Sequence, residues 1–302
     1  MICVAIIFSE EKMKNRKNFI KVMTESAVMI ALASVLSMLP LVDMPYGGSV
    51  TLASMLPIAL IAYRHGISAG FGAGFVFAAV QQLLGLKNLS YVTGWQSVVA
   101  VILLDYIAAF TVLGLCGIFK GRLGLEKLSP ETRQGLELTF GMLTACVIRY
   151  IFHTVAGATV WAGLSIPTEA ALIYSLGYNA TYMIPETVVN AVAAFYIGSV
   201  INLLKAIPTR FSPSTRVSGE SAVALSGILI KLGAILFAAT AVIDTVILFP
   251  HLQDPKDGSF TFAHLSQMDP TAIIIVSAVG ILLSVGAIIA AAVLRSKAKN
   301  KQ

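Results

Sequence analysis

Three ionisable residues lie inside long apolar stretches of the sequence: Asp105, Arg149 and His153. A charge inside a membrane helix is costly, and such residues usually line a cavity or a substrate path. Counted at about 1.5 Å per residue from the predicted outer helix ends, Asp105 lies about 13 Å deep, His153 about 12 Å and Arg149 about 18 Å. We therefore expect the three side chains at one level of the membrane.

Spacing adds aromatic and small residues to this group. Arg149, His153, Gly157 and Trp161 recur every four residues and follow one stripe of a helix. Gly157 would leave a notch between the imidazole and the indole, into which a flat ring could fit. Trp161 then offers a π face to a cation, and Asp105 offers a counter-charge.

A third helix brings further polar groups to the same region. Asn179 is expected about 10 Å below the outer end of its helix, with Tyr174 nearer the mouth. Polar and aromatic groups that converge at one depth predict a ligand site. The alternative is structural, with Asp105 and Arg149 neutralising each other and His153 capping a buried carbonyl.

Eight apolar segments must position these residues. They cover residues 22–39, 49–63, 67–84, 96–119, 135–161, 172–206, 222–249 and 271–294. Most of them reach the length of about 20 residues that a membrane-spanning helix needs. A hydrophobic content of 57% and a mean hydropathy of +0.85 exceed what a soluble core of 302 residues can enclose. The fold class is therefore an all-α polytopic membrane protein.

Lys and Arg residues set the predicted orientation. Of the 21 in the chain, seventeen fall in alternate gaps, at 12–21, 64, 120–133, 205–216 and 295–301, and two fall in the other gaps. Cytoplasmic loops retain positive charge, so both termini are expected in the cytoplasm of a cell-membrane protein. Anionic lipids account for the net charge of +6, and no basic stripe indicates nucleic acid.

Composition divides the chain into four parts. Residues 1–21 form a cytoplasmic N-terminal segment, 22–206 a six-helix core, 207–221 a Pro- and Ser-rich cytoplasmic linker and 222–302 a two-helix transmembrane appendage. Met13 opens MKNRKNF, so the natural start is either Met1 or Met13. No function is predicted for the appendage beyond packing or partner contact.

Three ordered blocks resemble the thiamine-binding S components of energy-coupling factor transporters, the ThiT-like family. They are LLDYIAAF at 103–110, RYIFHTVAGATVW at 149–161 and YSLGYNATYMIPE at 174–186. GGSVTLASMLPI at 47–58 and TESAVMIALAS at 24–34 add to the likeness, which covers residues 22–206. The resemblance implies a six-helix S component with an outward-facing thiamine pocket.

The resemblance also implies roles for single residues. Asp105 is similar to the acidic pocket residue of the family, with Tyr106 beside it. His153 and Trp161 correspond to the pair that meets the vitamin rings, and Arg149 occupies a basic position one turn below the histidine.

Further contacts follow from the resemblance near the pocket mouth. Tyr174 and Asn179 correspond to polar contacts at the head of the sixth helix. Gly47-Gly48 stand where some members carry a lid tryptophan, so Tyr91 or Trp95 becomes the expected lid.

The sequence contains no GxxxxGK[ST] phosphate loop, so the chain has no ATPase site of that kind. The resemblance implies that two cytoplasmic ATPases and a membrane coupling subunit power transport, and that the coupling subunit docks at Ala27 and Ala31. No cofactor or metal is expected, and the protein is not expected to be an enzyme. Three alternatives remain: an S component for another vitamin, an ion-coupled carrier, and an intramembrane enzyme using Asp105 and His153 as acid and base.

Overall fold

Long apolar helices form most of the fold. The computed structural model describes residues 2–44, 46–164, 166, 168–211 and 220–299, with only the backbone for 2–17, 220–223 and 299. The helices are α1 (Ile2–Ser37), α2 (Leu56–His65), α3 (Ile67–Leu84), α4 (Trp95–Gly117), α5 (Pro130–Thr159), α6 (Ala171–Val200), α7 (Glu220–Leu248) and α8 (Thr271–Lys299). Seven of the helices in the described part are long and apolar enough to cross a membrane, so the predicted all-α polytopic architecture is confirmed.

Two sequence expectations fall partly outside the described residues. The first concerns the natural start: Met1 lies outside the described residues, and only the backbone is described at Met13. The predicted linker 207–221 contains residues 212–219, which also lie outside the described residues. Before that gap, two short strands, β3 (Ile201–Asn202) and β4 (Thr209–Arg210), pair in antiparallel fashion directly after α6.

The second apolar segment, 49–63, carries the chain between the two ends of the bundle with a helix that is shorter than a membrane span. Its first residues belong to a strand, and α2 is a helix of only 10 residues. Such a helix reaches about 15 Å, roughly half the hydrocarbon thickness. Residues 57–63 of α2 are all buried, so other helices rather than lipid enclose this helix. A helix buried on every side is apolar all round, as a lipid-facing span is, which explains why hydropathy alone did not separate the two.

A β-hairpin connects α1 to α2 and covers one end of the helix bundle. Strands β1 (Pro40–Asp43) and β2 (Ser49–Thr51) pair in antiparallel fashion, with Val42 opposite Val50. The tip contains Gly47 and Gly48, with φ of +106° and +91°. A Cβ atom at Gly48 would lie 2.7 Å from the ring of Tyr182, so the tip can lie directly on α6 only without a side chain there.

Helix α4 changes its winding at the depth of the predicted site. Residues Ile102–Ala108 form π-helical turns, and Val112–Gly117 tighten into a 3₁₀ helix. π-helical stretches are rare and occur frequently at functional sites. Asp105 and Tyr106 both lie in this stretch, so the wide winding determines the direction in which each side chain leaves α4.

Segments that contain Lys and Arg between the apolar stretches meet at the end of the bundle opposite the β1–β2 hairpin. Arg64, at the end of α2, pairs with Glu25 of α1, with 2.9 Å between Nη2 and Oε2. Lys21 donates a 2.8 Å hydrogen bond to the carbonyl of Ala206, and Lys120 donates a 3.3 Å hydrogen bond to the carbonyl of Arg64. These contacts bring the predicted cytoplasmic segments together at one end, whereas the side of the membrane stays a prediction.

Helices α7 and α8 form an antiparallel pair that packs beside α6. A side chain at Gly280 of α8 would overlap α7, so the two backbones approach closely there. Asp244 accepts a 2.7 Å hydrogen bond from Ser277 across the pair. The ammonium of Lys231 lies 5.4 Å from the ring centroid of Tyr196 on α6, which joins the appendage to the core.

Replacing Gly141 by alanine should destabilise the core. Gly141 on α5 faces the backbone of α4, where a methyl group would overlap the carbonyl of Cys116. Overpacking of this kind costs about 1–3 kcal/mol, which should lower the thermal unfolding midpoint in detergent. The matched control is Gly72→Ala on α3, because nothing lies within 4 Å of a Cβ atom there. Alanine at that site should keep or raise the midpoint, and equal midpoints for the two variants would contradict the close approach of α4 and α5.

Candidate ligand-binding site

A cavity of about 450 Å³ lies between the β1–β2 hairpin and the nearby ends of the helices. This volume is in the range of small-molecule sites, about 300–1,000 Å³. Six of the seven predicted substrate-binding residues line its wall: Asp105, Tyr106, Arg149, His153, Trp161 and Asn179. Residues that no pattern had selected complete it, among them Asp43, Met44, Tyr46, Phe110, Tyr178, Tyr182 and Glu186.

Two ring nitrogens hold the carboxylate of Asp105. Its Oδ1 lies 2.9 Å from Nδ1 of His153, and its Oδ2 accepts a 2.9 Å hydrogen bond from Nε1 of Trp161. The side chain of Asp105 is 16% exposed, while both rings are buried. Nε2 of His153 is also buried and has no hydrogen-bond partner among the described residues. The site therefore presents a fixed anion to the cavity.

Arg149 lies one helical turn below His153 and does not pair with Asp105. Its guanidinium stacks on the ring of Phe110, with Cζ 4.4 Å from the centroid, and contacts the sulfur of Met55. Among the described residues, no carboxylate oxygen lies within ion-pair distance of it. The alternative in which Asp105 and Arg149 neutralise each other is therefore not the arrangement found.

Asn179 fixes the junction of α5 and α6. Its Nδ2 donates to the carbonyls of Ser175 and His153 at 2.9 Å and 3.2 Å, and its Oδ1 accepts a 2.6 Å hydrogen bond from Tyr182. Gly157 lines the cavity, and a Cβ atom there would overlap the hydroxyl of Ser175 on α6. A side chain at 157 is thus excluded by α6 rather than by a ligand ring.

Tyr106 joins the cavity wall to the end of α3. Its hydroxyl accepts a 3.1 Å hydrogen bond from Nδ2 of Asn88 and lies 3.3 Å from the carbonyl oxygen of Gly85. The phenol is 9% exposed. It therefore acts mainly as a wall that keeps the loop after α3 in place.

Three predicted contacts lie outside the cavity wall. The ring of Tyr174 faces away from the cavity and packs on Phe262, with 5.1 Å between the centroids. Tyr91 is 42% exposed and Trp95 is 72% exposed, and neither lines the cavity. Tyr91 instead meets the edge of Tyr46 at 5.3 Å. The β1–β2 hairpin covers the cavity, and the loop after α3 reaches it through Gly85, Lys87 and Asn88 rather than through Tyr91 or Trp95.

Sequence reasoning missed a stripe on α6. Tyr178, Tyr182 and Glu186 recur every four residues and all line the cavity. Glu186 is an ionisable residue inside a span, so the argument applied to Asp105 would have found it. Its carboxylate accepts hydrogen bonds from the backbone and hydroxyl of Thr51, which tie β2 to α6.

Known proteins resemble the part of the chain that forms this cavity. A family model described as "Thiamine transporter protein (Thia_YuaJ)" matches residues 23–205. The thiamine transporter ThiT of Bacillus subtilis is 32% identical over 176 residues, which cover 57% of this chain and 84% of that protein. The thiamine transporter ThiT of Lacticaseibacillus paracasei is 26% identical over 179 residues, 57% of this chain and 83% of that protein.

A solved structure of ThiT from Listeria monocytogenes aligns with a TM-score of 0.49 and 22% identity, covering 60% of this chain and 94% of that one. The matched family residues end at 205, close to the end of α6. Helices α7 and α8 lie beyond them.

Proposed function

The chain belongs to the thiamine transporter protein family, and we propose that it is the thiamine-binding subunit of an ATP-driven energy-coupling factor importer. It captures thiamine from outside the cell in the cavity beneath the β1–β2 hairpin. Partner subunits then drive release into the cytoplasm. The membrane is the cell membrane, with both termini in the cytoplasm.

The carboxylate of Asp105, held between His153 and Trp161, carries the proposal. Thiamine is a cation with two flat aromatic rings. An immobilised anion in a small cavity stabilises such a cation, since little reorganisation is needed when the ligand arrives. The rings of Tyr178, Tyr182 and Trp161 border the same cavity and offer π faces to the ligand. Charge, size and aromatic lining therefore all suit thiamine.

The purified protein should bind thiamine one-to-one in the absence of ATP. Isothermal titration calorimetry with thiamine, riboflavin and biotin measures this directly, in detergent and with the whole chain. The cavity predicts heat with thiamine and none with neutral riboflavin or anionic biotin, because Asp105 favours a cation. No heat with thiamine, or tighter binding of another vitamin, would refute the assignment.

Coupling to ATP requires other proteins, because the sequence has no phosphate loop. We propose a membrane coupling subunit and two cytoplasmic ATPases as partners. Ala27 and Ala31 lie on the exposed face of α1, and the neighbouring Val28 and Leu32 are 62% and 46% exposed. Small residues on a lipid-exposed face let a partner helix approach closely. This face supports docking of the coupling subunit at α1.

The end of the bundle at which the basic segments meet supports the proposed orientation. Arg64, Lys21 and Lys120 form contacts at that end. Positive charge favours the cytoplasmic side, so the cavity at the opposite end opens outward. An outward-facing cavity is the state in which an importer first meets its substrate.

A further inference from the structure

The segment between α7 and α8, residues 249–270 and here called the strap, reaches back over the core. It lies beyond the residues matched by the family model. The backbone carbonyl of Asp257 in the strap accepts a 2.8 Å hydrogen bond from the hydroxyl of Tyr46. Tyr46 belongs to the tip of the β1–β2 hairpin and lines the cavity. The appendage therefore contacts the cover of the binding site directly.

Aromatic packing forms the main contact between strap and core. Phe260 is 2% exposed and meets the rings of Tyr178 and Tyr174 edge-on, with centroids 5.4 Å and 6.4 Å apart. Phe262 packs beside it on Tyr174. A Cβ atom at Gly177 of α6 would lie 2.5 Å from the ring of Phe262, so this position admits the strap only as glycine.

The ring that receives Phe260 also holds the hairpin tip. Tyr178 donates a 2.7 Å hydrogen bond from its hydroxyl to the carbonyl of Gly47. Two connections thus run from the strap to the tip, one through Phe260 and Tyr178 and one through Asp257 and Tyr46. Both end on residues of the cavity wall.

The strap has its own backbone structure, so it can transmit a constraint. Asp254 donates to the carbonyl of Ser259 at 2.8 Å, and Thr261 donates to the carbonyl of Leu252 at 2.9 Å. Burial and the nearby Asp257 raise the pKa of Tyr46, so its hydroxyl remains a proton donor at neutral pH.

We propose that the strap clamps the β1–β2 hairpin over the cavity and slows both the binding and the release of the ligand. The inference rests on the proposed function, since the ligand is the one proposed for the cavity. Phe260 and Asp257 are positioning residues: they act through Tyr178 and Tyr46 and do not touch the ligand. A clamp that stabilises the closed hairpin equally with and without ligand changes both rates and leaves affinity nearly constant.

Stopped-flow measurement of tryptophan fluorescence with thiamine tests the clamp. Phe260→Ala removes the aromatic contact to Tyr178, and Phe262→Ala removes the neighbouring contact to Tyr174; neither phenylalanine lines the cavity. Each should raise the association and dissociation rates together by about tenfold, the scale of one lost buried contact. Affinity should change by less than about threefold, because each variant shifts the balance between open and closed hairpin equally in the free and the ligand-bound protein. Phe237→Ala, at a 47% exposed site on α7, is the control and should behave as wild type.

Unchanged rates in both variants would overturn the clamp. So would a faster dissociation rate with an unchanged association rate, because that result describes a damaged pocket and not a gate. Failure of the wild-type chain to bind thiamine would contradict the proposed function instead.

A second measurement needs no ligand and decides the clamp even in that case. Ser54 is 3% exposed and lines the cavity below the hairpin. Ser54→Cys, in a chain whose three native cysteines are replaced by alanine, should react with a water-soluble maleimide only when the hairpin opens. Adding Phe260→Ala should speed this labelling about tenfold, and adding Phe237→Ala should not. Equal labelling rates would refute the clamp.

Discussion

Replacing Asp105 by asparagine should weaken thiamine binding by roughly 1.5–3 kcal/mol, the range for a lost hydrogen bond to a charged group. The substitution keeps the size of the side chain and removes the only charge held by the two ring donors. The asparagine oxygen can still accept from Nε1 of Trp161 while its amide donates to Nδ1 of His153 in the other tautomer, so the variant mainly removes the charge. Calorimetric titration of thiamine into the purified variant measures the effect.

Asp244→Asn provides the matched control for this substitution. Asp244 also lies inside a span, and it bonds Ser277 between α7 and α8, away from the cavity. The same change of charge there should leave the affinity for thiamine as in wild type. A folded Asp105→Asn protein that binds as tightly as wild type would show that Asp105 has a structural role in the α4–α5 contact. Thermal unfolding of each variant establishes that it is folded.

The sequence predicted the long helices well because hydropathy reports length and burial together. Segments 67–84 and 96–119 correspond closely to α3 and α4. At 49–63 hydropathy did not reveal that the helix is short and enclosed by protein, since such a helix has the same composition as one enclosed by lipid. The β1–β2 hairpin was missed for a related reason: strands of four and three residues carry too little alternation to be recognised.

The site was predicted from the side chains that share one depth in the membrane, and this criterion identified part of the observed site. Asp105, His153 and Trp161 are joined by hydrogen bonds, as their predicted common depth in the membrane implies. Depth says little about direction, because a residue's position around the helix axis decides what it faces. Arg149 lines the cavity but stacks on Phe110 instead of pairing with Asp105, and Tyr174 faces the strap.

Contacts from the appendage were beyond any local pattern. The bond between Tyr46 and Asp257 joins residues 211 positions apart. Phe260 belongs to the appendage, for which no function beyond packing or partner contact was predicted. Its burial becomes apparent only when α7 packs against α6 and carries the strap over Tyr178.

Replacing both Ala27 and Ala31 by leucine should abolish most ATP-dependent uptake without changing thiamine affinity. Both residues are exposed on α1, near the end of the bundle where the basic segments meet, and neither lines the cavity. Two leucines would hold a partner helix away from α1, and overpacking at such a contact should reduce uptake on the order of tenfold or more. Vesicles that contain this chain, the coupling subunit and the two ATPases measure uptake, and calorimetry in detergent measures affinity.

The control for this variant places the same bulk elsewhere on the lipid-exposed surface. Ala278 and Ala290 on α8 are exposed in the same way, so leucine at both should leave uptake and affinity as in wild type. Binding and uptake then separate only in the α1 variant, because the cavity and the docking face lie at different places on the core. Wild-type uptake by the Ala27→Leu, Ala31→Leu protein would refute docking at α1. Uptake that persists without the ATPases and the coupling subunit would instead identify an ion-coupled carrier, since no other energy source would remain.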